Sequence, residues 1–191
     1  MRSPFVYFAG DRLATAELTA ACLDGHLVPL GEAFVPADVV ETCALRAATL
    51  HDLLGDTLAA THQSAAWVWG VIETAPRRHT VQRAVERRIH HVLGRMLVYR
   101  DPLIPAADLV TLGGAAVSTP PRTLADLARS ALDSDHDVAR VWAQRDAATA
   151  ERAIAWLDRA RGAPRKVPAA RLLRQACTAA TEGGSQDEVT R

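Results

Sequence analysis

The pattern of apolar and polar positions divides the chain into a short N-terminal unit, a central block of strands and a helical last third. Residues 13–23 have a helix-forming composition that stops at Asp24-Gly25, because Gly adopts the left-handed conformation that ends many helices. Residues 26–35 follow as two short strands around a turn at residues 30–32. A helix followed directly by a tight hairpin is the second half of a winged-helix unit.

Beyond this unit the period of the apolar residues changes along the chain. From Ala37 to Gly55 they recur every three or four positions, which predicts a helix. Alternation returns later, and Gly113-Gly114 between two such runs predicts a hairpin. Gly94-Arg95 is predicted to be a turn between two further strands. The predicted elements are helices over residues 37–54 and 63–70 and strands over residues 79–89, 96–99, 108–112 and 115–118.

The last third is predicted to be helical, with a polar end. Pro120 stands near the first position of a helix, where its missing N–H group is not needed. The fold class is therefore α+β: a shortened winged-helix-like unit over residues 1–36, then a mixed domain over residues 37–181 with a small, mainly antiparallel sheet and C-terminal helices. Residues 182–191 are predicted to be a disordered tail. The C-terminal helices are expected over residues 120–132, 135–145, 149–160 and 167–180.

The charge of the chain is balanced only in sum. Twenty-two Lys and Arg face 22 Asp and Glu, and a net charge of zero argues against binding nucleic acid through bulk basic charge. However, residues 1–76 contain three Arg and nine acidic residues, whereas residues 77–100 contain seven Arg and one Glu. An anionic partner would therefore avoid the first segment and could bind the second.

Two groups of basic residues are candidate binding sites for nucleic acid or for an acidic protein. The alternative for the first group is a solvated edge strand whose charges prevent aggregation, and for the second a solvated loop between helices. If the strand is regular, Arg83 and Arg87 share a face with Val81 and Val85. The first group is Arg77, Arg78, Arg83, Arg87, Arg88 and Arg95, and the second is Arg161, Arg165 and Lys166.

Patterns typical of enzymes are not found in the sequence. Asp135 and Asp137 could resemble a metal-binding pair, but at a helix start acidic residues simply favour the positive end of the helix dipole. Trp67 and Trp69 could stack on a base, or could lie in the core. We therefore expect no catalytic residue, no metal and no cofactor. No apolar run is long enough for a membrane span and no signal peptide is evident, so a cytoplasmic location is expected.

Several segments, in order, carry a family resemblance. The most specific are Ser-Ala-Ala-x-x-x-Gly at residues 64–70 and Thr-Pro-x-Arg-Thr-Leu-x-Asp-Leu-Ala-Arg at residues 119–129; residues 25–36, 46–50 and 97–100 add to them. Together they resemble the AbiEi-type antitoxins of abortive-infection systems and their stand-alone relatives, the winged-helix transcriptional regulators. The motif positions to which we assign structural roles are Ser64, Trp67, Gly70, Arg122, Thr123 and Asp126.

Within the second motif, an ion pair is expected between Arg122 and Asp126. Arg122 lies in the first turn of its helix, where the dipole disfavours a cation, and Asp126 stands four residues later. A pair at this spacing would compensate the guanidinium and serve as a buried or half-buried structural latch.

The resemblance implies a DNA-binding regulator that acts as an antitoxin and represses its own operon. Its implied partners are double-stranded operator DNA and a nucleotidyltransferase-like toxin. Residues 14–24, however, contain no Arg or Lys to contact bases or phosphates. The alternative is therefore a protein-interaction module that has lost the helix-turn-helix and binds an acidic protein. The chain shows no heptad repeat that would specify an oligomer.

Overall fold

The N-terminal unit is a helix followed by a two-stranded hairpin. A computed structural model describes residues 4–89 and 94–186 of the chain. Strands β1 and β2 pair in antiparallel register, and Tyr7 adds a bridge to Phe34. The hairpin turn packs on the rest of the molecule, because a Cβ at Gly31 would lie 2.5 Å from Thr49 Oγ1 and 2.7 Å from Trp67. The unit consists of α1 (Thr15–Leu23), β1 (Leu27–Leu30) and β2 (Ala33–Pro36).

The helix predicted from Ala37 begins six residues later. The amide of Ala37 donates to His26 O, so this residue still belongs to the base of the hairpin. The Thr42 side chain then accepts a hydrogen bond from Leu45 N and caps the new helix. The segment forms two short helices, α2 (Cys43–Thr49) and α3 (His51–Leu54), and the next helix in the chain is α4 (His62–Val68).

A five-stranded mixed sheet forms the centre of the molecule. Its strand order is β5-β4-β3-β7-β6, in which β3 pairs antiparallel with β4 and parallel with β7. β6 and β7 form the hairpin predicted around Gly113-Gly114. The strands are β3 (Leu58–Ala60), β4 (His79–Arg83), β5 (Leu97–Leu103), β6 (Leu109–Leu112) and β7 (Ala115–Ser118).

The prediction of a mainly antiparallel sheet is wrong, because two of the four strand pairings are parallel. β3 is a run of three buried residues, too short to show alternation, and was not predicted. A turn is present at Gly94-Arg95, where Leu97 N donates to Gly94 O at 3.1 Å, but β4 and β5 run parallel and therefore do not form a hairpin around it. β4 also ends at Arg83 and not at Ile89, since the Arg83 guanidinium binds the carbonyls of Val85 and Glu86 and holds the chain in a bend.

The molecule has two apolar cores. One lies between the sheet and helices α2 to α4, and the last four helices pack with α4 around the other. Leu124, Leu127, Trp142, Leu157 and Leu173 lie at the centre of this core. The last helix continues to Gln186, into the segment predicted to be a disordered tail, and residues 187–191 of that tail lie outside the described residues. The helices are α5 (Pro120–Arg129), α6 (Asp133–Arg145), α7 (Ala147–Arg159) and α8 (Lys166–Gln186).

Candidate functional site

Most arginines of the first basic group are exposed around β4 and β5. Arg77 and Arg78 precede β4 and Arg95 precedes β5; because the strands are parallel, these three lie at the same end of the sheet. Arg78 Nη2 donates to Leu97 O at 2.8 Å, which fixes this side chain along β5. The other exposed members, Arg87 and Arg88, follow the opposite end of β4.

Arg83 does not belong to this exposed surface. It is 9% exposed, and its Nε donates to Asp101 O at 3.2 Å while Nη1 donates to Val85 O at 3.0 Å. With its donors used inside the protein, Arg83 shapes the end of β4 and cannot reach a large partner. The sequence contained a signal for this, since alternation places Arg83 on the face of the buried Val81.

The second basic group lies in and around the loop between α7 and α8. Arg161 and Arg165 are exposed, whereas Lys166 is half-buried and donates from Nζ to Ala160 O at 2.9 Å. The loop is attached to α5, because Arg129 Nε donates to Pro164 O at 3.0 Å. Lys166 therefore holds the start of α8, and two of the three candidates remain accessible.

The residues of the first family motif hold α4 against the sheet. Ser64 is buried, and its Oγ accepts a hydrogen bond from Thr80 N at 2.9 Å. Trp67 is 1% exposed and lies under the hairpin turn at Gly31, so it cannot stack on a base. Gly70 has φ +78°, a left-handed conformation just after the end of the helix.

The second motif closes the junction between β7 and α5. Thr123 Oγ1 lies 2.7 Å from Ser118 Oγ, and both side chains are fully buried. The expected pair of Arg122 and Asp126 is present, with Nε 2.8 Å from Oδ2. Arg122 Nη1 also donates to Asp108 Oδ2 at 2.8 Å, so two carboxylates hold this guanidinium.

Arg122 and Asp126 also line a cleft between the sheet and α5. The cleft has a volume of about 300 Å³. Three of its lining residues are arginines and only one, Asp126, is acidic, which makes the cleft basic. Its lining consists of His62, Gln82, Arg100, Pro102, Arg122, Asp126, Arg129, Ser130 and Pro164.

Two of the three arginines in the cleft are neutralised by neighbours. Asp126 binds Arg122 through Oδ2 and Arg129 through Oδ1, the latter at 3.1 Å. The Arg122 guanidinium lies 4.7 Å from the ring centroid of Trp156. Burial alone lowers the pKa of Arg122, but Asp126 and Asp108 outweigh it and raise the pKa above its ordinary value. These arginines are permanently charged and fixed in place.

His62 forms another wall of the cleft in an unusual backbone conformation. It starts α4 with φ +49°, in the left-handed region that few non-glycine residues occupy. Burial lowers its pKa, and Arg100 and Arg122 lower it further, against the opposing effect of Asp126 and Asp135. His62 is therefore neutral at pH 7 and adds no charge to the cleft.

Arg100 and Gln82 differ from the rest of the cleft because each has a buried polar atom without a partner. They stand opposite each other on the parallel strands β5 and β4. Arg100 Nε and Gln82 Oε1 are both buried, and neither has a hydrogen-bond partner among the described residues. Sequence reasoning missed this pair, because the parallel register that brings the two residues together is not visible from the sequence.

The structure thus defines an α+β domain in which a mixed sheet and a helical layer enclose a basic cleft. Residues 58–175, from β3 into α8, match the family model of the AbiEi antitoxin C-terminal domain. The chain belongs to this family, as the sequence motifs indicated. It is therefore an antitoxin of a toxin–antitoxin system, and it has a cognate toxin as partner. A search of curated proteins gives no match to the chain.

Within residues 4–89 and 94–186, no three His, Cys, Asp or Glu side chains come together as they would to hold a metal ion. None of the helices in that part of the chain is long and apolar enough to cross a membrane.

Proposed function

We propose that this antitoxin is also a transcriptional regulator that binds operator DNA and represses the operon of its toxin. The observation that supports DNA binding is a set of exposed arginines on the antitoxin domain. Arg77, Arg87, Arg88 and Arg95 are exposed, and none forms an ion pair with a residue that the structure describes. Unpaired guanidinium groups are the side chains that neutralise DNA phosphates.

The N-terminal unit, residues 1–36, is proposed to be a shortened winged-helix-like cap and not the DNA reader. On α1, the Thr19 hydroxyl donates to Thr15 O and Glu17 binds the amide of Ala14, so these polar groups serve the helix itself. The exposed charges around the unit are mainly acidic, and Arg12 is the one exposed basic residue between residues 4 and 41 other than the histidine His26. Carboxylates repel phosphates, so DNA contacts come from residues 37–181 instead.

The loop between α7 and α8 adds a second contact in this proposal. Arg161 and Arg165 are exposed there, and the attachment of Pro164 to Arg129 keeps the loop close to α5. No catalytic step is involved: the domain acts by binding. The toxin that it opposes is proposed to be nucleotidyltransferase-like, in line with the resemblance of the chain to AbiEi-type antitoxins.

A polarisation titration with a labelled promoter duplex at several salt concentrations tests DNA binding. The double variant Arg87→Ala/Arg88→Ala should bind more weakly, and the slope of log K against log salt should fall by about 0.9 for each phosphate that the variant no longer neutralises. The matched control is Arg140→Ala/Arg145→Ala, which removes two exposed arginines of α6. Absence of binding at low salt, or binding that does not depend on salt, would refute the proposal.

The second candidate is a protein-interaction module that has lost the helix-turn-helix and binds an acidic partner, and the lack of Arg and Lys on α1 favours it. In this case the same arginines bind carboxylates of the toxin. The toxin should then be recovered in a pull-down with the native protein but not with Arg77→Ala/Arg95→Ala, which leaves the buried Arg83 intact. Equal recovery with both proteins would eliminate this candidate.

A further inference from the structure

We propose that the basic cleft between β4, β5 and α5 binds a small phosphorylated molecule that also carries a hydroxyl group. The phosphoryl group is held by Arg100, and the hydroxyl group donates to Gln82 Oε1. This site is separate from the exposed arginines assigned to DNA, and it does not depend on whether DNA is bound.

The first argument is the unused guanidinium of Arg100. Asp126 and Asp108 bind Arg122, and Asp126 and Pro164 O bind Arg129. Arg100 forms no ion pair with the described residues, and its buried Nε has no acceptor. A buried charged donor without a partner is unfavourable in a folded protein, so an anionic ligand would stabilise this position.

The second argument concerns Gln82, which selects a different group of the same ligand. Gln82 is 5% exposed and its Oε1 has no hydrogen-bond partner among the residues that the structure describes. A carbonyl oxygen repels phosphate oxygens but accepts a hydrogen bond from a hydroxyl group. Gln82 and Arg100 are in register on adjacent strands, and such strands lie about 4.8 Å apart. The two groups can therefore bind one small molecule.

The third argument is the number of donors and the size of the cleft. Arg122 and Arg129 also line it, and their hydrogen bonds to protein acceptors use Nε and Nη1 of each. The remaining Nη2 groups can join Arg100 in binding the three oxygens of a phosphate, whereas a carboxylate offers two. A volume of about 300 Å³ is at the lower end of the range for ligand sites, which fits a sugar phosphate or a single nucleotide.

Isothermal titration calorimetry of the full chain with ribose 5-phosphate, adenosine 5′-monophosphate, inorganic phosphate and an acidic peptide tests the site. At least one of the two organic phosphates should bind more tightly than inorganic phosphate, and the tighter of the two identifies the class of ligand. In nitrogen-labelled protein, the side-chain Nε–Hε signal of Arg100 should shift on binding.

Variants separate the roles of the two residues. Arg100→Met should weaken binding at least about tenfold, because a charge-assisted hydrogen bond is removed. Gln82→Met should reduce the affinity for the organic phosphate to that for inorganic phosphate. Arg140→Ala/Arg145→Ala, on α6 and outside the cleft, should bind the organic phosphate as the native protein does. Thermal unfolding of each ligand-free variant verifies that it is folded.

Three outcomes would overturn the proposal. The first is no binding by either organic phosphate, and the second is equal binding by Arg100→Met and the native protein. The third is binding of the acidic peptide alone, which would assign the cleft to a protein partner. Loss of DNA binding with intact phosphate binding would affect the proposed regulatory function and leave the cleft site standing.

Discussion

At the scale of single residues, Asp126 has the largest structural role in the cleft. It is 4% exposed and binds the guanidinium groups of Arg122 and Arg129 at the same time. Removing one partner of a buried ion pair leaves the other charge without compensation, which costs far more than the pair itself contributes. Asp126 is therefore expected to stabilise the fold, whatever the cleft binds.

The variant Asp126→Asn should lower the free energy of unfolding by about 3 kcal/mol, the lower end for a broken buried pair, because Asp108 still compensates Arg122. Urea denaturation followed by circular dichroism measures this change. The matched control is Asp158→Asn, whose pair with Arg174 is more than half exposed on both sides and should contribute at most about 1 kcal/mol. Similar losses in the two variants would contradict the structural role of Asp126.

At the scale of secondary-structure elements, local signals predicted more than long-range ones. The hairpin at Gly113-Gly114 and the helices α5 to α8 follow from turn residues and periodicity, which act within a few positions. β3 was missed because its position is decided by β4 and β7 on either side. The parallel pairing of β4 and β5 depends on a crossover, so neither the cleft nor the meeting of Arg100 with Gln82 could be predicted.

The same limit explains why the basic residues were only partly assigned. The charge pattern identified a basic segment that contains Arg87 and Arg88, but it could not show that Arg83 binds backbone carbonyls. In the sequence, Arg100 is one of seven arginines between residues 77 and 100, and no local pattern distinguishes it from the others. What distinguishes it is the absence of a partner for its Nε among the described residues, and this is a property of the folded molecule.

The β6–β7 turn is an element whose sequence is determined by close packing. Gly113 has φ +54°, and a Cβ there would lie 2.2 Å from Ala44 O and 2.8 Å from Ala48 Cβ, both on α2. Gly113→Ala should therefore combine the backbone cost of the left-handed region, about 1–2 kcal/mol, with an overpacking cost of about 1–3 kcal/mol. Chemical denaturation should show this sum as a loss in the free energy of unfolding.

Gly25→Ala is the control for this prediction. Gly25 has φ +77°, but no atom lies within 4 Å of a Cβ built there. Only the backbone cost of about 1–2 kcal/mol applies, so Gly25→Ala should be the milder variant. Equal losses at the two glycines would show that α2 can move away from the turn.

At the scale of the whole molecule, two buried histidines connect its parts. His79 is fully buried on β4, with Nε2 3.2 Å from Glu32 Oε1 in the N-terminal unit, and His62 joins α4 to the cleft. Burial lowers the pKa of His79 despite the raising effect of Glu32, and it lowers the pKa of His62 as well. Both side chains are therefore neutral in the native protein at pH 7.

The free energy of unfolding should fall as the pH decreases below about 6.5, the ordinary pKa of histidine. In this range the unfolded chain binds protons at His62 and His79 before the native protein does, so each group contributes a slope of up to about 1.4 kcal/mol per pH unit until its native pKa is reached. Urea denaturation between about pH 7.5 and pH 5.5 measures the slope above the range of ordinary carboxylates.

His62→Asn should reduce this slope, because Asn does not titrate and accepts the left-handed backbone found at position 62. The control His26→Gln changes an exposed histidine and should leave the slope as it is. If the two variants give the same slope, protonation of His62 does not oppose folding. If the free energy of unfolding does not change with pH in either variant, protonation of His79 does not oppose folding either. The contact between the hairpin and the sheet then tolerates a charged imidazole next to Glu32.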